Sequence, residues 1–207
     1  MNTKIYTAGK KPGEAKKALI MVHGRGGSAA DILSLAQHLD VKDYALFAPQ
    51  AAQHSWYPYS FLALPSDNEP ALSSALIALG EAVKEAEAAG ISKEQICFLG
   101  FSQGACLTLE FVTRNAAKYG GVIAFTGGLI GDKIYEENYK GDFQQTPVFI
   151  GTSDPDPHVP VDRVLASTAL LRKMNASVLE KVYPMMGHTI TAEEIRQAEQ
   201  WVLNRKA

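Results

Sequence analysis

Six short apolar runs separated by amphipathic stretches dictate the architecture available to this chain: ALIMVHG (18–24), YALFAPQ (44–50), QICFLG (95–100), GVIAFTGG (121–128), PVFIGT (147–152) and SVLEKVY (177–183). Several are apolar at successive positions rather than alternate ones, the pattern of strands covered on both faces. The segments between them have helical spacing. SAADILSLAQHLD opens with Ser28 and Asp31 at capping-box distance and aligns Ile32, Leu35, Ala36 and Leu39 on one face. From Ala71 onward, Leu72, Leu76, Leu79 and Val83 recur at helical intervals until Gly90, a suitable C′ residue. A last helix starts at Thr191, with Glu194 completing a second capping box, and turns Ile195, Ala198 and Val202 inward. Strand and helix in alternation predict an α/β fold, a mostly parallel central sheet with helices on both faces. Ligands of such sheets bind beyond the carboxyl ends of the strands.

At 207 residues and 46% hydrophobic, the chain is long enough for one well-buried core and short for two, so a single domain over 1–207 with no separate lid domain is expected. A net charge of −2 with scattered Lys and Arg argues against nucleic acid as a partner. The first residues, MNTKIYTAGKKPGEAKK, have no apolar h-region, and no apolar run approaches the roughly 18 residues that span a bilayer. The expectation is a cytoplasmic protein without stable membrane insertion. Cys97 and Cys106 read as small buried hydrophobes. The amphipathic last helix leaves a homodimer open.

Four loops that follow strands carry the chemistry-bearing residues: HGRGGS (23–28), GFSQGA (100–105), GTSDPDPHVP (151–160) and YPMMGHT (183–189). They supply Ser102, then Asp154 or Asp156, then His188, the chain order of an α/β-hydrolase triad. Gly100 and Gly104 flank Ser102 where a tight turn would bring strand and helix too close for a Cβ. A serine needs a base and a group to orient that base, roles open to His188 and one of the two aspartates. Asp156 is preferred, because the trailing DPHVP reads as a turn that aims a carboxylate and then starts a helix near Pro160. The oxyanion would be met by the backbone N–H groups of Arg25 and Gln103. Asp154, Asp156 and His158 alternate as metal ligands could, but a triad already uses one of them, so neither metal nor cofactor is expected. His23 is read as hydrogen-bonding within its turn, and His38 as a surface residue. Residues 51–70 are the longest connection of little regular pattern, and their aromatics, Trp56 and Phe61 among them, could wall an apolar acyl or aryl pocket.

Together HGRGGSAADI, GFSQGA, SDPDPHVP and YPMMGHTI resemble the phospholipase/carboxylesterase family of α/β-hydrolases, which includes acyl-protein thioesterases and small bacterial carboxylesterases. The resemblance runs from about Ala18 to the C-terminus. It implies Ser102 as nucleophile, Asp156 as acid, His188 as base, Arg25 and Gln103 as oxyanion donors, and Trp56 and Phe61 near substrate. The implied activity is hydrolysis of carboxylic esters of small to medium acyl or aryl size through an acyl-enzyme. Thioesterase or lysophospholipase activity is the alternative within that family. The thioesterase branch has an acidic residue where this chain has Gly27, which points away from protein depalmitoylation. A catalytically weak ligand-binding protein on the same fold is the reading from another class, and a peptidase or amidase is a third, within enzymes.

Overall fold

The computed structural model describes residues 3–204. Seven strands form one sheet in the order β1-β3-β2-β4-β5-β6-β7. They are β1 (Ile5–Gly9), β2 (Lys17–Val22), β3 (Tyr44–Pro49), β4 (Ile96–Phe101), β5 (Gly121–Phe125), β6 (Pro147–Asp154) and β7 (Ser177–Pro184). All neighbours run parallel except β1, which pairs antiparallel with β3 at the edge. Six strands match the apolar runs. The seventh, β1, has no counterpart in the sequence reading, because it is an edge strand and its residues are mostly exposed.

The central strands are apolar throughout because their alternate residues feed two separate cores. Leu19 and Met21 of β2 pack with Ala29 and Ile32 of α1 (Ala29–Ser34) and with Ala198 of α5 (Ala192–Ala198). Ile20 and Val22 point the other way. There they join α2 (Ala71–Ala88), α3 (Gln103–Arg114) and α4 (Val161–Lys173).

The helix ends follow their local chemistry. Ser28 and Asp31 form a reciprocal capping box, as do Thr191 and Glu194. Gly90, at φ +85°, donates its N–H to Glu87 while Ile91 donates to Ala86, the paired bonds of a Schellman motif that terminates α2. The first helix is shorter than its periodicity suggests. After Ser34 it tightens into a 3-10 turn, Leu35–His38, which leaves Leu35 and Ala36 only half-buried. The last helix runs from α5 into a π-helical turn, Glu199–Leu203. Among the described residues no helix is long and apolar enough to cross a membrane.

Candidate active site

Because β2, β4, β6 and β7 are parallel, the loops leaving their carboxyl ends collect at one edge of the sheet. Ser102 sits between β4 and α3 at φ 54°, ψ −120°, a conformation that L-residues avoid. Its N–H donates to the Phe125 carbonyl (3.0 Å), and its own carbonyl accepts from Cys106 (3.0 Å). The turn is so tight that the flanking residues have no room for side chains. A Cβ on Gly100 would lie 2.7 Å from the Ala105 nitrogen, and one on Gly104 would lie 2.5 Å from the His23 carbonyl oxygen. Although Ser102 occupies the N-cap position of α3, its side chain caps nothing. Its hydroxyl instead lies 2.8 Å from His188 Nε2.

His188 follows β7 on a loop turned by Gly187 at φ +78°. Its Nδ1 lies 2.8 Å from Asp156 Oδ2. A carboxylate only accepts, so Nδ1 carries the proton and Nε2 is left to accept from Ser102. Asp156 Oδ1 takes the N–H groups of His158 and Val159, both at 2.8 Å. Burial by itself raises the Asp156 carboxyl, but the two N–H donors and the His188 ring outweigh it and hold the acid below the usual carboxylate range. Asp154, the last residue of β6, is exposed. The alternating trio is thereby separated: Asp156 lies under His188, and the His158 ring stands against that of His188. Among the described residues, no group of three His, Cys, Asp or Glu side chains is placed to hold a metal ion.

The loop after β2 passes close to Ser102. A Cβ on Gly24 would lie 3.3 Å from the Phe101 carbonyl oxygen and 3.5 Å from the Ser102 Cβ, a close approach of the two loops. Arg25 follows on that approach. On the other side, the Gln103 N–H opens α3 and has no acceptor within the helix, at the positive end of the helix dipole. Both side chains reach to one further segment. Arg25 donates to the carbonyls of Pro58 (2.8 Å) and Tyr59 (2.6 Å), while Gln103 accepts from Trp56 N–H (3.0 Å) and donates to the Tyr57 carbonyl (2.8 Å). Asn68, fully buried, accepts from Tyr59 N–H and donates to the Ser60 carbonyl.

That segment walls a cleft of about 450 Å³ whose lining includes Ser102, His188, Tyr57, Phe61, Phe101 and Val159. Phe61 lines it; Trp56 does not. The Trp56 indole donates to the His23 carbonyl (2.8 Å), stacks near the His23 ring and borders a different cavity against α2. The correction has a simple cause. An indole N–H buried at this depth must find an acceptor, and the available one lies beneath the cleft. His23 is buried, its Nδ1 donating to the Gly24 carbonyl (2.7 Å) and its Nε2 accepting from Ala51 N–H (3.2 Å). Burial first of all holds its pKa below the ordinary value. His38 is exposed. Burial raises both thiols to about 12, so neither Cys97 nor Cys106, although the latter touches the cleft, competes as a nucleophile.

Sequence reasoning missed Ser153. Its hydroxyl accepts from Gly187 N–H (2.9 Å) and donates to the Pro155 carbonyl (3.1 Å), tying the acid loop to the histidine loop.

Comparison with known proteins converges on one group. The family model described as phospholipase/carboxylesterase matches residues 5–204. An acyl-protein thioesterase 1 of Saccharomyces cerevisiae is 28% identical over 91% of this chain and 92% of its own. The crystal structure of a phospholipase/carboxylesterase from Dyadobacter fermentans superposes with a TM-score of 0.97 at 58% identity, covering 98% of this chain and 97% of that one. A Bacillus cereus carboxylesterase structure, at 21% identity, shares the fold with a TM-score of 0.78 over 97% of this chain and 93% of its own. The chain therefore has the α/β-hydrolase fold and belongs to the phospholipase/carboxylesterase family of ester hydrolases.

Proposed function

We propose that this protein hydrolyses carboxylic esters of small to medium acyl or aryl groups through a Ser102, His188 and Asp156 triad and an acyl-enzyme intermediate. The observation that carries the reading is the unbroken hydrogen-bond relay from Asp156 Oδ2 through His188 to Ser102 Oγ, 2.8 Å at each step. Ser102 Oγ attacks the ester carbonyl carbon as His188 Nε2 takes its proton. The carbonyl oxygen becomes an oxyanion that accepts from the N–H groups of Arg25 and Gln103. Collapse breaks the bond to the alcohol oxygen, which leaves with the proton from Nε2. A water then repeats the sequence, its proton going to Nε2 and on to Ser102 as the acid departs. Asp156 stays ionised throughout and stabilises the imidazolium.

The mostly apolar cleft beside Phe61 and Phe101 supports modest acyl or aryl groups rather than polar ones. A thioester reading is the alternative, supported by the name of the yeast relative, since the same attack serves both leaving atoms.

The test is a p-nitrophenyl ester series from acetate to palmitate with wild type beside Ser102→Ala, together with labelling by a fluorophosphonate. Turnover of the shorter esters, lost in Ser102→Ala, and labelling confined to Ser102 are expected. A Ser102→Ala variant that matches wild type overturns the nucleophile assignment.

A further inference from the structure

His158 lies two residues beyond Asp156, is solvent-exposed, and lines the same cleft as Ser102 and His188. Its ring stands edge-on to that of His188, with centroids 4.8 Å apart and an interplanar angle of 76°. Its backbone N–H is already spent on Asp156, so the main chain is anchored independently of the imidazole. The imidazole makes no hydrogen bond that the relay needs.

The chemistry of the cleft tells what such a ring would meet. His188 Nε2 must hand its proton to the leaving alcohol oxygen, so the alcohol portion of a bound ester lies within hydrogen-bond reach of Nε2. The His158 ring packs against the residue that serves this alcohol oxygen, in the same cleft. In either tautomer, neutral or charged, it offers an N–H. The rest of the lining is selective for sign. No aspartate or glutamate lines the cleft, whereas Arg25 brings a permanent positive charge whose acceptors, Ser55 Oγ and the carbonyls of Pro58 and Tyr59, are all uncharged. The nearby negative charge of Asp156 is buried and engaged by His188 and the N–H groups of His158 and Val159, so the charge presented to the cleft is that of Arg25. A cleft presenting charge of one sign between apolar walls concentrates ligands of the other sign.

We propose that His158 is a substrate-binding residue on the leaving-group side of the cleft, and that within the field of Arg25 it selects esters whose alcohol portion carries a carboxylate. The proposal rests on the hydrolase reading above, and its test separates the two. Three acetates are compared: 3-carboxyphenyl, phenyl and 3-(trimethylammonio)phenyl acetate. All give the same acetyl-enzyme, so kcat/KM differences report acylation alone. Wild type, His158→Phe and His158→Gln are measured, and the quantity read is the ratio between esters within each variant, corrected for their spontaneous hydrolysis, so a general loss of activity cancels.

Wild type should favour the carboxylate over the ammonium ester by about tenfold or more, the size expected of a hydrogen bond to a charged group. His158→Phe should lower that ratio about fivefold through KM, and His158→Gln, which retains an N–H donor, should restore most of it. Equal use of the two charged esters by wild type, or a ratio undiminished in His158→Phe, overturns the proposal while leaving the hydrolase reading standing. If wild type turns over none of the three and the fluorophosphonate leaves Ser102 unlabelled, the hydrolase reading falls and takes this proposal with it.

Discussion

Gly104 meets His23 backbone to backbone: a Cβ at Gly104 would stand 2.5 Å from the His23 carbonyl oxygen, with the Val22 carbonyl pressed against it as well. Neither partner is a side chain that can swing aside, because both belong to the end of β2 and the loop that follows it. Gly104→Ala must therefore push α3 away from the sheet and carry Ser102 with it. A destabilisation of about 3 kcal/mol is expected, which for a chain of this size corresponds to a fall of roughly 6–12 °C in Tm. Gly13, where a Cβ meets nothing within 4 Å, provides the matched control. Calorimetry that finds Gly104→Ala as stable as Gly13→Ala would contradict the close approach.

Asp156 and Asp154 stand two residues apart with opposite surroundings, and substitution should separate them. Asp156→Asn preserves shape but offers His188 a group able to donate as well as accept, so the ring can settle in the tautomer that points a proton at Ser102. A loss of kcat of about 10⁴-fold is expected, the magnitude known for the equivalent change in a serine protease triad. Asp154→Asn, at an exposed site whose backbone carbonyl accepts from Met185 N–H, should alter kcat/KM by less than about twofold. Steady-state kinetics on a single p-nitrophenyl ester decides the matter, and a large loss in Asp154→Asn would refute the assignment.

The sheet was legible because several of its inner strands are apolar at successive positions, a pattern imposed by two cores and difficult to mistake. β1 was not, since at the sheet edge Tyr6, Thr7, Ala8 and Gly9 are all exposed and the strand leaves only a weak trace. The candidate nucleophile was legible for a steric reason: contacts at Gly100 and Gly104 exclude any side chain, so the spacing of two glycines about a serine records the turn itself. Ser153, Asn68 and the Gln103 side chain carry no such record. Gln103 and Ser153 find their partners 46 and 34 residues away in sequence, and a single polar residue in a loop has no period to betray it. The aromatic crowding of residues 51–70 revealed a wall but not which rings face the cleft, a choice settled by where the Trp56 N–H finds its acceptor.

Glu194 connects pH to stability. It is completely buried; Oε2 accepts from Thr191 N–H (3.1 Å), and among the described residues Oε1 has no hydrogen-bond partner and lies hard against Gly151. Burial raises its carboxyl from 4.5 to about 7. The folded state thus holds this proton more tightly than the unfolded chain. Its contribution to stability is complete below pH 4.5 and is lost as pH rises through about 7. His23 acts in the opposite sense. Its lowered pKa gives a contribution present above 6.5 and lost as pH falls further, so the two partly offset each other in wild type. Glu194→Gln, which reproduces the neutral shape, removes one of them. Relative to wild type it should gain stability steadily between about pH 4.5 and pH 7, reaching up to about 3 kcal/mol, and gain nothing more above about pH 8. Urea unfolding of both proteins across that range measures the difference directly. A difference that stays flat with pH would mean that Glu194 is ionised in the fold at all these pH values, its unpartnered oxygen satisfied by other means.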